Sequence, residues 1–487
     1  MNRFFVTCVL VLGLMPLARA EDRLVANNDE LGHAIKTAQP GDSIILKDGT
    51  WTDAEIKFYG TGEESKPITL RAETPGKVTL SGASKLSIGG SWLIVDGVSF
   101  KDGAVTSGSV VQFRDGDDKG ANNCRLTNCA IVEYNPPEAP AGNTQWVSLY
   151  GQKNRVDHCY FKGKNTSGPI FVVWVEDQPN DHRVDGNYFA GRPGLGRNGG
   201  ETIRVGTSQV SMNNSRTIVE DNYFENCDGE AEIISNKSCE NVYRRNTFVE
   251  CKGALVMRHG NRCTVQDNWF FGRGKEGTGG IRLIGEDHKI YNNYLDGLVG
   301  RGFESAMPIV NGIPNSKPNE YFRVQRAIIA FNTLVNCEQN ITFGIGVGFR
   351  NRAEPAMNVV VADNLIVPRA ATTQPIVQFD DKPIDTTWQS NVFFGGVGGL
   401  PEEVMQSGGA RAINPQLHET ESGLLKPADS NAIRAQSSVD LSFITHDIEG
   451  KPRPADARDV GCFQVSSKEA PKYRPLTPAD VGPAWMK

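Results

Sequence analysis

A short signature recurs along most of this chain and limits the folds that it can adopt. In each copy a polar residue, usually Asn, precedes two or three β-forming residues, the last of them apolar. Successive central copies lie 24, 22 and 25 residues apart, and other steps stretch to between 27 and 39 residues, which indicates inserted loops. The copies are Asn128-Cys129-Ala130-Ile131, His158-Cys159-Tyr160-Phe161, Asn187-Tyr188-Phe189, Asn222-Tyr223-Phe224, Asn246-Thr247-Phe248, Asn268-Trp269-Phe270, Asn293-Tyr294-Leu295, Asn332-Thr333-Leu334, Asn364-Leu365-Ile366 and Asn391-Val392-Phe393.

This repeat is typical of a right-handed parallel β-helix, which needs about 22–25 residues per coil and no helix between its strands. Short alternating strands are visible at residues 202–205 and 280–284. A side-chain amide at a tight bend can satisfy backbone groups and bond to the next Asn above it, and Asn tolerates the left-handed conformation. Leucine-rich repeats require helices, and propeller blades require about 40 residues. The predicted fold class is therefore all-β, a right-handed parallel β-helix.

The open ends of a β-helix must be covered. Residues 29–38 have the pattern of a short amphipathic helix that follows an N-cap at Asn28 or Asp29, and we expect this helix to cap the N-terminal coil. From about residue 401 the repeat fades, so residues 401–487 are predicted to pack irregularly on the helix or to close its C-terminal end. No linker is apparent, and residues 21–487 are predicted to form a single domain.

The first twenty residues have the features of a cleavable signal peptide. A positive start precedes the apolar residues 4–17, which are too few to span a membrane, and Ala18-Arg19-Ala20 fits a cleavage site. Residues 1–20 are therefore predicted to be removed, giving a periplasmic or secreted protein that is not held at a membrane. Its net charge would be 49 − 57 = −8, and this acidic excess argues against a nucleic acid partner.

The remaining chain contains nine cysteines. Export permits disulfide bonds, but an odd number leaves at least one thiol free, and no C-x-x-C pair suggests zinc. We expect most of these residues to be small buried side chains that stack in the core.

Strand alternation predicts a charged patch on the outer face of the helix. Ala231 and Ile233 should point inward, which turns Glu230 and Glu232 outward. In sequence order, one of these acids and three arginines are 28, 26 and 24 residues apart, about one coil per step. We therefore expect them to stack in one column with a spacing of about 4.8 Å. The column comprises Arg204, Glu232, Arg258 and Arg282.

Glu230 and Glu232 are the candidate metal ligands in this patch. Adjacent carboxylates repel each other when no cation lies between them, and their hard oxygen atoms suit Ca²⁺. Outward charges on a strand are also commonly solvated surface, so the pattern alone leaves both interpretations open.

Four segments on these strands carry the strongest functional signal. They are Asn198-Gly199-Gly200-Glu201-Thr202-Ile203-Arg204-Val205-Gly206, Glu230-Ala231-Glu232-Ile233-Ile234-Ser235-Asn236-Lys237-Ser238, Met257-Arg258-His259-Gly260 and Gly280-Ile281-Arg282. In this order they resemble the motifs of polysaccharide lyase family 6, which contains alginate lyases and dermatan sulfate lyases of the chondroitinase B type. The similarity spans nearly the whole chain after the signal peptide, and the first segment is closer to the alginate members.

The resemblance implies a parallel β-helix, a Ca²⁺ cofactor and β-elimination of a uronic acid polymer. Matched by motif, Lys237 would be the general base and Arg258 the general acid. The Ca²⁺ ligands would be Glu230, Glu232 and Asn198. The residues that hold the substrate would be Arg204, His259 and Arg282.

These residue types suit removal of the C5 proton of a uronate. A cation that neutralises the adjacent carboxylate stabilises the developing anion. A lysine acts as a base only when neighbouring cations lower its pKa from about 10.4. The pKa of a guanidinium exceeds about 12, so a second possibility is that Arg258 stabilises the leaving oxygen while water or His259 supplies the proton.

The predicted function is an exported lyase that binds alginate, an anionic polysaccharide, and leaves 4,5-unsaturated uronate ends. A dermatan sulfate lyase of the chondroitinase B type would use the same chemistry with additional basic residues for sulfate. A non-catalytic β-helix protein would bind the polymer without cleaving it. The sequence leaves open the preference for mannuronate, guluronate or mixed blocks, endo or exo action, and the oligomeric state.

Overall fold

The structure, a computed structural model, describes residues 20–116, 119–138, 142–396 and 400–487. Apart from Ala20, the predicted signal peptide lies outside these residues. The described chain winds into a parallel β-helix in which each coil contributes strands to three sheets, and strands of successive coils pair in parallel. The predicted all-β, parallel β-helix fold is confirmed.

The first sheet begins beside the N-terminal helix and continues to the last coils. Its strands are Asp22–Val25, Ser43–Leu46, Ile68–Ala72, Leu93–Asp96, Arg125–Thr127, Arg155–Asp157, Arg183–Asp185, Ile218–Glu220, Val242–Arg244, Thr264–Gln266, Lys289–Tyr291, Ile328–Ala330, Val360–Ala362 and Thr387–Gln389.

The second sheet follows the first across a sharp bend in each coil. Its strands are Gly49–Thr52, Val78–Gly82, Val98–Gly103, Ala130–Val132, Tyr160–Lys162, Tyr188–Arg192, Tyr223–Cys227, Thr247–Val249, Trp269–Phe271, Tyr294–Asp296, Thr333–Val335, Leu365–Val367, Asn391–Phe393 and Ala410–Arg411.

The third sheet completes each coil and is extended through a bridge between Leu283 and Ile309. Its strands are Glu55–Thr61, Lys85–Ser91, Gly108–Gln112, Thr144–Leu149, Phe171–Val173, Ile203–Gly206, Glu232–Lys237, Gly253–His259 and Thr278–Arg282, followed by Met307–Val310, Ile341–Ile345 and Val377–Phe379.

Short elements lie outside the three sheets. Two antiparallel pairs join Arg114–Asp115 to Lys119–Gly120 and Leu417–Glu419 to Leu425–Pro427. The α-helices are Asn28–Thr37 and Glu402–Gln406, and the 3₁₀ helices are Ser208–Val210, Gly302–Glu304, Phe349–Asn351 and Ala484–Met486.

The N-terminal helix forms where the sequence predicts it, but its N-cap is Asn27 rather than Asn28 or Asp29. The Asn27 side chain accepts a hydrogen bond from the Glu30 backbone N–H at 2.9 Å, which satisfies a donor that has no partner within the helix. Leu31 and Ala34 are buried, so the helix packs its apolar side on the first coil.

Buried asparagines form a ladder at the bend between the first and second sheets. The Nδ2 atom of each donates to the Oδ1 atom of the next at 2.9–3.0 Å, and the same Oδ1 accepts the backbone N–H of the asparagine before it. The predicted amide stacking is therefore confirmed. The ladder consists of Asn187, Asn222, Asn246, Asn268, Asn293, Asn332, Asn364 and Asn391.

The sequence suggested that the ladder asparagine itself adopts the left-handed conformation at this bend. In the structure the residue before it does so instead. These preceding residues all have a positive φ: Gly186, Asp221, Arg245, Asp267, Asn292, Phe331, Asp363 and Ser390. Asn128 and His158 occupy this position in their own coils, with φ of 54° and 51°. Cys129 and Cys159 therefore take the ladder position, and the backbone N–H of Cys159 donates to Asn187 Oδ1 at 3.0 Å.

The interior of the coils is filled by stacked aromatic and aliphatic side chains. Phenylalanines of the second sheet lie on successive rungs with ring centroids 4.5–5.1 Å apart: Phe161, Phe189, Phe224, Phe248 and Phe270. The nine cysteines are also buried and form no disulfide bond in the described part of the chain, as expected for core residues.

Residues 401–411 pack against the last coil, where Val404 and Ala410 join the core, and the following residues lie along the outside of the helix. Leu424 and Phe463 pack on Trp269 and Tyr294 of the second sheet. Close to the C-terminus, the indole N–H of Trp485 donates to the main-chain carbonyl of Asn128 at 2.8 Å. This segment therefore covers parts of the first two sheets.

Candidate active site

The predicted charged residues lie on the outer face of the third sheet, but they do not form the single column that their spacing suggested. Backbone pairing aligns Arg204 with Ser235, Ser235 with Val256, and Val256 with Arg282. Glu232 lies three residues before this column on its strand, and Arg258 lies two residues after it. The four side chains thus share a face, but only Arg204 and Arg282 lie in one column, while Glu232 and Arg258 lie on either side of it.

Unequal coil lengths explain the difference, since the paired residues Arg204, Ser235, Val256 and Arg282 are 31, 21 and 26 residues apart. The pairing beside Glu232 is also irregular. The strands Glu232–Lys237 and Gly253–His259 shift register between Glu232 and Ile234 and again between Asn236 and Lys237. Such β-bulges interrupt strict alternation and re-aim side chains. As a result Ala231 is exposed rather than inward as predicted, whereas Ile233 is in the core, at 2% exposure.

Glu232 lies at the centre of a cluster of cations. Its Oε1 atom is 3.8 Å from Nε of Arg258 and 3.7 Å from NH1 of Arg282, and its Oε2 atom accepts a 2.5 Å hydrogen bond from Ser235. The two arginine contacts are longer than direct hydrogen bonds. The arrangement therefore holds both guanidinium groups near one carboxylate without fully engaging them.

Lys237 is the last residue of the strand Glu232–Lys237 and lies on the outer face of the third sheet. Its amine lies 3.7 Å from Oε1 of Glu201, a residue that is 4% exposed and whose Oε2 atom is buried without a hydrogen-bond partner in the described structure. The Lys237 backbone pairs with that of His259 on the next coil. The Lys237 amine therefore lies near Glu201, on a strand that runs beside Arg258 and His259.

Glu230 is a carboxylate in an unfavourable environment. Burial is the main reason that its pKa rises to about 7, and repulsion from Glu201 and Glu232 adds to the effect. Its Oε2 atom accepts the Gly199 backbone N–H at 2.9 Å. Within the described part of the chain Glu230 forms no ion pair, so a cation at this position would relieve the repulsion.

The residues around Glu230 have the chemistry of a Ca²⁺ site. No cluster of three or more His, Cys, Asp or Glu side chains has metal-binding geometry among the described residues. A Ca²⁺ site does not need three such side chains, because Ca²⁺ also binds Asn side-chain oxygens and backbone oxygens. Two carboxylates and one amide oxygen are therefore a possible set of ligands. Asn198 is exposed and lines, together with Glu230, a cleft of about 420 Å³. Glu230 and Asn198 thus offer oxygen atoms of the kind that Ca²⁺ accepts, whereas Glu232 does not line this cleft and its oxygens face Ser235, Arg258 and Arg282.

Arg258 and His259 are linked to each other. The NH1 group of Arg258 lies 3.3 Å from Nδ1 of His259, and since an arginine only donates, Nδ1 accepts. The proton then resides on Nε2, which lies 3.2 Å from the Ser208 hydroxyl. Burial, and next the charges of Arg258 and Lys237, lower the pKa of His259 to about 2. This imidazole is therefore neutral near neutral pH.

The two other predicted substrate-binding arginines differ in their surroundings. Arg204 stacks over Trp174 at 5.3 Å, and its Nε atom is buried without a hydrogen-bond partner among the described residues. Arg282 is 4% exposed, and its Nε atom donates to the main-chain carbonyl of Phe303 at 2.8 Å. Arg204 consequently has the greater capacity for a new anionic partner.

Several residues of the site have no assigned role in the sequence analysis. Glu201 lies inside a quoted motif, yet its burial beside Lys237 depends on the packing of neighbouring coils. Phe303, Glu304 and Tyr321 belong to the longest step of the repeat, the 39 residues between Asn293 and Asn332. A long insertion in a regular solenoid is a signal of function, since binding residues concentrate in such loops.

Known proteins share both the sequence pattern and the fold. The family profile described as Chondroitinase B matches residues 25–429. The structure of the PL6 family alginate lyase AlyGC is 38% identical, with a TM-score of 0.84 over 95% of this chain. This chain spans 58% of the length of that protein.

Two further structures extend the similarity. A mannuronic acid specific family 6 lyase from human gut microbiota is 33% identical, with a TM-score of 0.72, over 81% of this chain and 91% of its own. The PL6 polysaccharide lyase Pedsa3628 from Pseudopedobacter saltans is 28% identical, with a TM-score of 0.68, over 86% of this chain and 100% of its own. No curated protein sequence matches the chain. No helix among the described residues has the length and apolar character that a membrane crossing requires.

Proposed function

Because the chain belongs to the chondroitinase B family, polysaccharide lyase family 6, we propose that it is an exported lyase that cleaves alginate by β-elimination. The observation that carries the proposal is the convergence of Lys237, Arg258 and the Glu230–Glu232 pair on one face of the third sheet. Structures with more than 30% identity that are described as alginate lyase or mannuronic acid specific lyase support alginate as the substrate.

Each residue has a defined task in this reaction. The Lys237 amine removes the C5 proton of the uronate at the cleavage site, the C4–O4 bond breaks, and a C4=C5 double bond forms. Arg258 stabilises the negative charge on the leaving oxygen, which takes its proton from solvent. Burial lowers the pKa of His259, and its Nδ1 atom lies 3.3 Å from NH1 of Arg258, so its task is to orient Arg258. Arg204 and Arg282 hold substrate carboxylates.

Glu230, Glu232 and Asn198 would bind Ca²⁺. The ion would neutralise the uronate carboxylate next to the proton that is removed, which makes that proton more acidic. Glu201 would remain outside the ligand set, beside the Lys237 amine.

Incubation with defined polymers tests the proposed substrate. We expect the purified protein to generate the ultraviolet absorbance of unsaturated uronate ends from alginate block fractions, and no such absorbance from dermatan sulfate. Comparing polymannuronate, polyguluronate and mixed blocks then gives the block preference. Product from dermatan sulfate alone would replace alginate with that polymer. Binding without product from any polyuronate would point to a non-catalytic carbohydrate-binding protein.

Removal of Ca²⁺ is expected to lower the rate by about 10²-fold, the usual cost of losing an electrostatic stabiliser of a developing anion. A chelator provides the metal-free protein, and added Ca²⁺ should restore the rate. Calorimetric titration with Ca²⁺ gives a readout that is independent of activity, and Glu230→Gln should weaken that binding. An unchanged rate in chelator, together with no heat of Ca²⁺ binding, would remove the ion from the mechanism.

A further inference from the structure

The ring of Tyr321 lies between two arginine side chains. The guanidinium carbon of Arg258 is 4.1 Å from the ring centroid and that of Arg352 is 3.9 Å from it. Two planar guanidinium groups at this distance do not fit side by side over one face of a phenol ring, so each covers a different face. Stacking of this kind is attractive because a guanidinium interacts with the π-electrons of the ring.

The loop that carries Tyr321 is anchored on both sides of the ring. The main-chain carbonyl of Tyr321 accepts the Ile313 N–H at 2.8 Å, and Gly312 exchanges backbone hydrogen bonds with Glu354. The carbonyl of Pro318 accepts a hydrogen bond from the Ser211 hydroxyl at 3.2 Å. These contacts tie the insertion to two other coils, so the ring has a defined position above the third sheet.

Arg352 provides a fixed backing for the ring. It is 4% exposed and lies over Tyr321, while Phe303 and Phe349 are within 5.4 Å of its guanidinium carbon. A buried guanidinium among aromatic rings has few alternative rotamers. Arg352 consequently supports the Tyr321 ring on the face opposite to Arg258.

Among the described residues, Arg258 itself makes only long polar contacts. They are 3.3 Å to His259 Nδ1, 3.3 Å to the carbonyl of Glu320 and 3.8 Å to Glu232. Strong charge-assisted hydrogen bonds are shorter, about 2.7–2.9 Å. The Tyr321 ring thus packs closely on the Arg258 guanidinium, whose polar contacts are all long.

We infer that Tyr321 is a positioning residue, whose ring holds the Arg258 guanidinium where the leaving oxygen develops charge. The inference rests on the proposed lyase function. Because both faces of the ring are covered by arginines, Tyr321 is not a stacking platform for a sugar. The role requires the ring and not the hydroxyl group.

Comparison of Tyr321→Leu with Tyr321→Phe tests this inference. We expect Tyr321→Leu to lower kcat by about tenfold to a hundredfold, because small displacements of a catalytic group have effects of this size. KM should change less than about threefold, since substrate carboxylates are held elsewhere. Tyr321→Phe, the matched control, should keep kcat within about twofold of the unmodified protein, because the stacking ring is retained. Melting temperatures of the two variants show whether folding is affected.

Three outcomes would overturn the inference. A raised KM with normal kcat in Tyr321→Leu would mean that the ring contacts substrate. Equal loss in both variants would assign a direct role to the hydroxyl. Crystal structures of both variants provide the third test and need no activity: the Arg258 guanidinium should be displaced or disordered in Tyr321→Leu only. An unmoved Arg258 would refute positioning, whereas an inactive unmodified protein would refute the proposed function alone.

Discussion

Replacing Lys237 by alanine is expected to lower kcat/KM by about 10²- to 10⁴-fold, the range observed when a general base is lost. The physical reason is that the Lys237 amine lies 3.7 Å from Glu201 on a strand that pairs with His259, whereas the buried Lys164, which also interacts with Glu201, donates to Thr166 and Ser167. The rate of formation of unsaturated uronate ends from alginate, under saturating and limiting substrate, provides the measurement.

Two matched variants distinguish proton abstraction from simple charge. Lys237→Arg keeps a cation at the site, but a guanidinium does not lose its proton near neutral pH, so we expect it to be as inactive as Lys237→Ala. Lys101→Ala removes an exposed lysine of the second sheet and should leave the rate unchanged. Substantial activity in Lys237→Arg would show that Lys237 acts through its charge, and activity in Lys237→Ala would assign the base elsewhere.

The fold could be predicted from the sequence because its determinants are local and repeated. Asn222, Asn246 and Asn268 are each one coil apart. The side-chain amide of each asparagine is satisfied by a hydrogen bond to the asparagine of the next coil. In the coils of Cys129 and Cys159 the same reasoning selected the wrong residue, because Asn128 and His158 are polar neighbours at the bend. A polar residue alone does not show which of two adjacent positions bends the chain.

The site was only partly predictable, for two physical reasons. The motif residues lie together, as expected, but the coils there differ in length, so the spacing from which the single column was inferred does not hold. Two register shifts beside Glu232 and Lys237 add to this, and such bulges depend on the pairing of two coils rather than on the sequence of one strand. The partners from the long insertion, Phe303 and Tyr321, approach the site through tertiary packing that repeat spacing does not encode.

The asparagine ladder is expected to be a major source of stability, and Asn268→Leu tests it. Asn268 is fully buried, accepts the N–H and Nδ2 of Asn246, and donates to the carbonyls of Tyr243 and Gln266 and to Asn293 Oδ1. A leucine of similar size leaves the Asn246 N–H without its acceptor and removes one bond each from Asn246 Nδ2, Asn293 Oδ1 and the Gln266 carbonyl, which keep bonds to the Val219 carbonyl, the Asn268 N–H and the Arg245 N–H. At about 1–3 kcal/mol for the unsatisfied donor and about 1 kcal/mol for each bond lost, we expect the free energy of unfolding to fall by about 3–6 kcal/mol. Chemical denaturation measures the change.

Cys159 occupies a ladder position and indicates a variant whose effect on stability should lie between those of asparagine and leucine. In the ladder position of Cys159, the thiol lies 3.3 Å from the carbonyl of Asp157 and 3.8 Å from that of Leu126, which are the carbonyls that an amide would bind there. A thiol is a weak donor, so Asn268→Cys should lose less stability than Asn268→Leu. Asn431→Ala, at an exposed position, should change stability by less than about 0.5 kcal/mol. If Asn268→Leu also lost less than this, packing of the phenylalanine stack, rather than amide bonding, would have to hold the coils together.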